Sequence, residues 1–210
     1  MLNHPKDFWN MRAPTYDQTS GGAYARAYDL TLEHTVKYLS PFDRVLDFAC
    51  GTGLVTLRLA SCVFHIRGID ISPEMTAIAQ NKVQAQGAAN VEITNTDLYD
   101  PCLEPGSFDA VTAFNVMCYI PDLPTALTRI RELLKSGGMF LSATDCLASR
   151  PSRAGAQKFI RSHTGQMPYV AFLTQRGLEK QIARNGFTVL ERENLFPNPP
   201  NLFVAAQVKS

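Results

Sequence analysis

The sequence predicts a doubly wound α/β fold, a mostly parallel sheet with helices on both faces and an antiparallel last strand. Two observations carry this. Short apolar runs at Val45–Phe48, Val63–Ile69, Val91–Thr94, Ala110–Phe114 and Met139–Ala143 alternate with segments long enough for crossover helices, which is the pattern of parallel βαβ units. The final runs, Phe187–Leu190 and Leu202–Val208, are joined by Glu193–Asn201. That connection contains Pro197, Pro199 and Pro200 and is too short for a crossover, so these two strands pair antiparallel.

The remaining elements follow in order. An N-terminal helical segment, residues 1–40, includes a helix over Ala23–Leu39. The first strand passes through a glycine loop into a helix over Leu54–Leu59, and Ser72-Pro73 opens the helix after the second strand. After Asp122, residues Leu123, Leu127, Ile130 and Leu134 share one helical face, and Gly137 and Gly138 are expected to stop that helix. Between Cys146 and Tyr169 the alternation fails, in a stretch rich in Ser, Arg, Gly and Gln, so residues 146–172 read as an inserted substrate cap. Thr174 then caps a helix carrying Leu178 and Ile182 that ends at Gly186. The whole reads as one domain of 210 residues, with a core over 41–145 and a C-terminal helix and two strands over 173–210.

Composition narrows the function. Twenty basic residues against 19 acidic ones lack the excess needed to grip phosphate backbones, which argues against a nucleic-acid partner. The start, MLNHPKDFWN, has no basic stretch followed by an apolar run. No later segment reaches the roughly 18 apolar residues of a membrane span, so a soluble, cytoplasmic chain without membrane attachment is expected. The five cysteines are odd in number and never form C-x-x-C, so reduced thiols are expected. His4, His34, His65 and His163 stand apart from one another and from the cysteines, which argues against a metal site.

The chemistry concentrates in VLDFACGTG, residues 45–53. Gly51 and Gly53 permit dihedrals and a close ligand approach that side chains would block, and Ala49 is the smallest substitute for a further glycine. A dinucleotide loop would need glycine where Thr56 stands. Asp47 would repel a pyrophosphate and suits a ligand bearing an ammonium or a sulfonium. Asp70, at the end of the second strand, is placed to accept from both hydroxyls of a ribose. The bland alternatives are a tight turn for the glycines and a helix cap for Ser72.

Taken together, these segments resemble a class I S-adenosylmethionine-dependent methyltransferase. VLDFACGTG is similar to the first motif of that family, IRGIDISPEM to its second, NTDLYD to its third and FDAVTAFNVMCYIPD to its fourth, with LLKSGGMFL leading into the fifth strand. The resemblance covers about residues 40 to 145 and implies a seven-stranded Rossmann-like sheet. It also implies S-adenosyl-L-methionine as cofactor, S-adenosyl-L-homocysteine as product, and methylation of a small-molecule acceptor at oxygen, nitrogen or carbon. By position, Ala49, Cys50, Gly51 and Gly53 would border the methionine moiety, and Asp47 would meet its ammonium directly or through water. Asp70 would hold the ribose, and Met75 or Ile71 would pack on the adenine. Asp97 and the Leu98 N–H would bind the adenine edge, and Asn115 would lie near the sulfonium. Ala49 departs from the family's glycine, which is expected to be tolerated if its φ is negative. FWNMRAPTYD resembles the segment that folds over the cofactor, so Trp9, Arg12 and Tyr16 could cover it, with Tyr16 or Arg12 reaching its carboxylate. Packing of this segment on the sheet is the plainer alternative.

The fourth motif reads Asn115-Val116-Met117-Cys118 rather than N-P-P-Y, which argues against nucleobase and glutamine amines as acceptors. Asn115, Cys118, Tyr119 and the cap around His163 and Tyr169 suggest a mixed apolar pocket. His163 or Tyr119 could act as a base, although a surface histidine and a core tyrosine are the plainer readings. Two other functions compete: a nicotinamide-dependent oxidoreductase, opposed by Thr56 and Asp47, and a cofactor-binding partner protein without turnover.

Overall fold

The computed structural model describes residues 4–20, 24–150 and 152–209. Strands β1 (Arg44–Phe48), β2 (His65–Asp70), β3 (Val91–Asn95), β4 (Phe108–Phe114) and β5 (Leu134–Asp145) are parallel. β7 (Pro200–Val208) runs antiparallel between β5 and β6 (Phe187–Pro197). The spatial order is β3-β2-β1-β4-β5-β7-β6. Successive strands step outward from β1 on one side and from β4 on the other, so a crevice opens at the carboxyl ends of β1 and β4.

Alternation along the strands divides the core between two layers. Leu46, Val111 and Phe140 face α5 (Leu123–Leu133) and α7 (Gln175–Arg184), whose Leu127, Ile130, Leu178 and Ile182 are fully buried. Val45, Ile66 and Ala110 face the opposite layer, which contains Leu32 of α2 (Ala25–Thr35) and Ala79 of α4 (Pro73–Gln86). The expected caps are present. Ser72 accepts from the Met75 N–H and Thr174 from Gly177, and Asp122, not singled out as a cap in the sequence, accepts from Thr125. Over the carboxyl ends of the strands lie α1 (Pro5–Ser20) and, in the cap, α6 (Arg153–His163). A small cluster joins Phe8 of α1 to Leu147, Met167 and Val170 on the segments that flank α6. No helix among the described residues is long and apolar enough to cross a membrane.

Several boundaries differ from expectation. The helix expected over Ala23–Leu39 is α2 followed by a 3-10 turn over Val36–Tyr38; Ala23 lies outside the described residues. β2 begins at His65 rather than Val63, because the Phe64 and His65 N–H groups donate to the Asp43 carbonyl before the ladder starts. The helix after the glycine loop is only α3 (Thr56–Leu59), not Leu54–Leu59, and the Leu57 and Leu59 N–H groups donate to the Gly53 and Val55 carbonyls. Helix α5 ends at Leu133, and the two glycines lie inside β5. A Cβ on Gly138 would stand 3.0 Å from the Lys135 carbonyl and 3.1 Å from that of Asp109. Gly138 therefore permits close backbone approach at the register shift between Phe108 and Ala110. The proline-rich connection is mostly strand, with Pro197 paired to Pro200. Prolines are tolerated there because β6 is the sheet edge and Pro200 opens its strand.

Candidate active site

The glycine loop leaves β1 at Asp47, which is 2% exposed. Thr56 Oγ1 donates to its Oδ2 at 2.5 Å and Thr112 Oγ1 to its Oδ1 at 2.7 Å. Burial pushes the carboxyl up to about 6, despite the two hydroxyls that favour its charged form. Asp47 lines neither cavity described below. Enclosed outside both cavities, the carboxylate makes no direct contact with that space, and of the two expected routes to an ammonium the one through water is left. The threonine that displaces the third glycine of a dinucleotide loop is one of those partners, so Asp47 ties the loop to β4.

Beyond it, Ala49 has φ 60°, Gly51 55° and Gly53 76°, and Asn115 at the end of β4 has φ 56°. The condition on which Ala49 was expected to be tolerated, a negative φ, is not met: alanine here adopts the left-handed conformation. Both non-glycine residues with positive φ line the same cavity, at adjacent strand ends. Gly51 faces that cavity and donates its N–H to Asp70 Oδ2 at 3.0 Å. Gly53 and Cys50 do not line it. A Cβ on Gly53 would lie 3.3 Å from Ala79 Cβ, so this glycine serves the packing of α4 on the loop. The Cys50 side chain turns beneath the loop against Gly68, and burial raises its thiol pKa.

The smaller cavity, about 130 Å³, brings together Trp9, Tyr16, Ala49, Gly51, Asp70, Ile71, Met75 and Asn115 from the expected set. Asp70 is 9% exposed, and its Oδ1 accepts from the Ser72 N–H at 2.8 Å. Burial raises its pKa, while the Ser72 and Gly51 N–H groups oppose the shift. Asp97 and Leu98 are not among the lining residues. Asp97 is exposed with Oδ1 accepting from the Tyr99 N–H, and the Leu98 side chain is buried in the core. Thr96, not singled out in the sequence, lines the wall instead. Helix α1 is latched over the loop. Asp17 accepts from Thr52 Oγ1 and pairs with Lys82, each at 2.5 Å, and Asn10 Oδ1 accepts from Ser72 Oγ at 2.6 Å.

A second cavity of about 330 Å³ lies behind Trp9, Tyr16, Asn115 and Tyr119, which line both spaces. The Trp9 ring stands edge-on to Tyr119 at 5.2 Å and to Tyr16 at 6.5 Å. Arg12 belongs to this larger space, not to the smaller one. A polar chain runs along it: Lys158 Nζ pairs with Asp145 Oδ2 at 2.8 Å, and Asn201 Nδ2 donates to Asp145 Oδ1 at 3.0 Å and to Asn115 Oδ1 at 2.8 Å. None of Asp145, Lys158 and Asn201 was anticipated. Asp145 ends a parallel strand and could have been found on that ground; Lys158 and Asn201 carry no local signal. Burial holds the Tyr119 phenol protonated, well above its ordinary pKa, so it presents a donor rather than a base. His163 lines neither cavity. It is exposed at the end of α6, with its ring on Phe159 and Nδ1 bonded to the Phe159 carbonyl at 2.9 Å.

The smaller cavity fits an adenosine-bearing sulfonium. Each Asp70 oxygen accepts one backbone N–H, which leaves a lone pair on each for a ribose hydroxyl. Phe48, Ile71, Met75 and Phe114 supply apolar walls.

Residues 45–138 match the family model described as a methyltransferase domain. A ubiquinone biosynthesis O-methyltransferase of Xanthomonas campestris pv. campestris is 35% identical over 104 residues, 49% of this chain and 43% of the relative. A 2-phytyl-1,4-naphtoquinone methyltransferase of Trichormus variabilis is 28% identical over 141 residues, 64% of this chain and 62% of the relative. The chain thus spans about half the length of the curated relatives it matches. In fold it is similar to the Haemonchus contortus phosphoethanolamine N-methyltransferase 2 solved with S-adenosyl-L-methionine, with a TM-score of 0.79, 18% identity, and coverage of 99% of this chain and 60% of the other. In its motif order, its seven-stranded sheet and this domain match over residues 45–138, the chain is similar to the class I S-adenosylmethionine-dependent methyltransferases.

Proposed function

We propose that this protein transfers the methyl group of S-adenosyl-L-methionine to a small-molecule acceptor, with the cofactor in the smaller cavity and the acceptor in the larger. One observation carries the reading: Asp70, fixed by the Gly51 and Ser72 N–H groups, faces a cavity whose far wall is shared with a second, larger one. When bound, the cofactor supplies a methyl on a cationic sulfur, and the acceptor's lone pair forms the new bond as the C–S bond breaks. The residues bind and orient. Asp70 accepts from the ribose hydroxyls, Met75 and Ile71 pack on the adenine, and Asn115 sits at the wall where the two cavities meet. Tyr119, kept protonated, donates to the acceptor, while Trp9 and Tyr16 on α1 exclude water. The relatives named above are a ubiquinone biosynthesis O-methyltransferase and a 2-phytyl-1,4-naphtoquinone methyltransferase, which supports the choice of acceptor class.

Calorimetric titration with S-adenosyl-L-homocysteine tests the site. Asp70→Ala is expected to weaken binding by about 1–3 kcal/mol through loss of charge-assisted hydrogen bonds, and unchanged affinity would remove the ribose assignment. Incubation with methyl-labelled cofactor and a small-molecule extract is expected to yield a labelled product. No label in any small molecule would count against transfer.

A further inference from the structure

The larger cavity has a charge pattern that the proposed reaction does not require. Its wall carries three cationic side chains, Arg12, Lys158 and Arg161, against one carboxylate, Asp145. That carboxylate is already engaged, with one oxygen on Lys158 and the other on Asn201. Among the described residues neither Arg12 nor Arg161 has a carboxylate partner. The excess is local, since the chain as a whole carries a net charge of only +1. The two arginines come from different elements, α1 and α6, and both are exposed while lining the same concavity. Guanidinium groups without partners in a partly enclosed space favour an oxyanion that can accept in parallel from a planar fork. Phe8, Trp9 and Tyr28 leave aromatic surface beside them for an apolar body.

We propose that the methyl acceptor carries an anionic group, carboxylate or phosphate, held by Arg12 and Arg161 beside the Lys158–Asp145 pair. This rests on reading the larger cavity as the acceptor site. Lys158 keeps Asp145 from repelling the anion, and Asn201 carries the same chain of contacts to Asn115 at the shared wall.

The test uses the full chain saturated with S-adenosyl-L-homocysteine and compares charged with neutral probes of similar shape: benzoate with benzamide, and phenyl phosphate with phenol. Each preferred anion is expected to bind about tenfold more tightly than its neutral counterpart, and the two pairs distinguish carboxylate from phosphate. Arg161→Gln and Arg12→Gln are each expected to erase most of that preference, while Arg161→Gln leaves the affinity for S-adenosyl-L-homocysteine within about twofold. Equal binding of charged and neutral probes overturns the proposal, as does absence of binding by both anions at millimolar concentration. Loss of S-adenosyl-L-homocysteine affinity in Arg161→Gln also overturns it, because the cation would then serve the cofactor's own carboxylate. Failure of the wild-type protein to bind S-adenosyl-L-homocysteine is a different failure, of the cofactor reading, and the anion preference is then measured on the protein alone.

Discussion

Asp47 is a carboxylate whose surroundings cost the fold stability. It is fully enclosed, with Asp70 adding repulsion, and two threonine hydroxyls recover only part of the lost hydration. Its carboxyl titrates at about 6 in the folded chain against an ordinary 3.8. Between those values the folded state holds a proton that the unfolded chain has released. Stability therefore falls as pH rises from about 4 to 6 and then levels, by on the order of 3 kcal/mol from this group. Denaturant unfolding of wild type and Asp47→Asn at pH 4 and pH 7 isolates the effect, since other groups cancel in the comparison. The advantage of the asparagine variant should grow by about that amount between the two pH values, and an advantage independent of pH would mean that Asp47 titrates normally. Ala49 adds cost of a second kind, because alanine held in the left-handed region forgoes about 1–2 kcal/mol, while Asn115 adopts the same conformation at smaller cost. All three sit where β1 and β4 part, so local stability has been given up at the crevice that the fold opens.

Among the elements, β2 shows how closely the loop is fitted to the sheet. A Cβ on Gly68 would stand 2.7 Å from Ile93 Cδ1 and 3.0 Å from Cys50 Sγ. Gly68→Ala should therefore cost about 1–3 kcal/mol in thermal or denaturant unfolding, with part regained when Ile93→Val is added. No loss in the single variant would mean that the loop moves freely over β2. The strands were legible in the sequence because buried parallel strands are continuous apolar runs, and Ser72 and Thr174 were legible because caps are local chemistry. Boundaries that depend on a neighbour were not. Gly138 reads as a helix stop until the Asp109 carbonyl is seen beside it, and Pro197 as a loop until β6 proves to be an edge. In the site, Asp70 with Ile71 and Met75 could be read because motif position alone places them. The enclosure of Asp47 could not be read because its partner Thr112 lies 65 residues away, and Asn201 was missed because it reaches Asn115 across 86 residues.

At the scale of the whole molecule, the two cavities are joined by a wall to which α1, β4 and the turn after it each contribute. The wall exists only because α1 is latched to the glycine loop through Asp17 and to the start of α4 through Asn10. Trp9 stands in that wall, in contact with both spaces, and it is the one tryptophan of the chain. Its emission should therefore report on either ligand without a label. Titration with S-adenosyl-L-homocysteine is expected to change the emission with the midpoint found by calorimetry. Benzoate added to the saturated protein is expected to produce a second, separate change. Trp9→Phe should silence both signals while calorimetric binding persists, because the ring packs on Tyr119 but bonds to neither ligand. If saturating S-adenosyl-L-homocysteine binds by calorimetry yet leaves the emission untouched, α1 does not wall the cofactor site. The two cavities would then lose the shared boundary across which transfer is proposed to run.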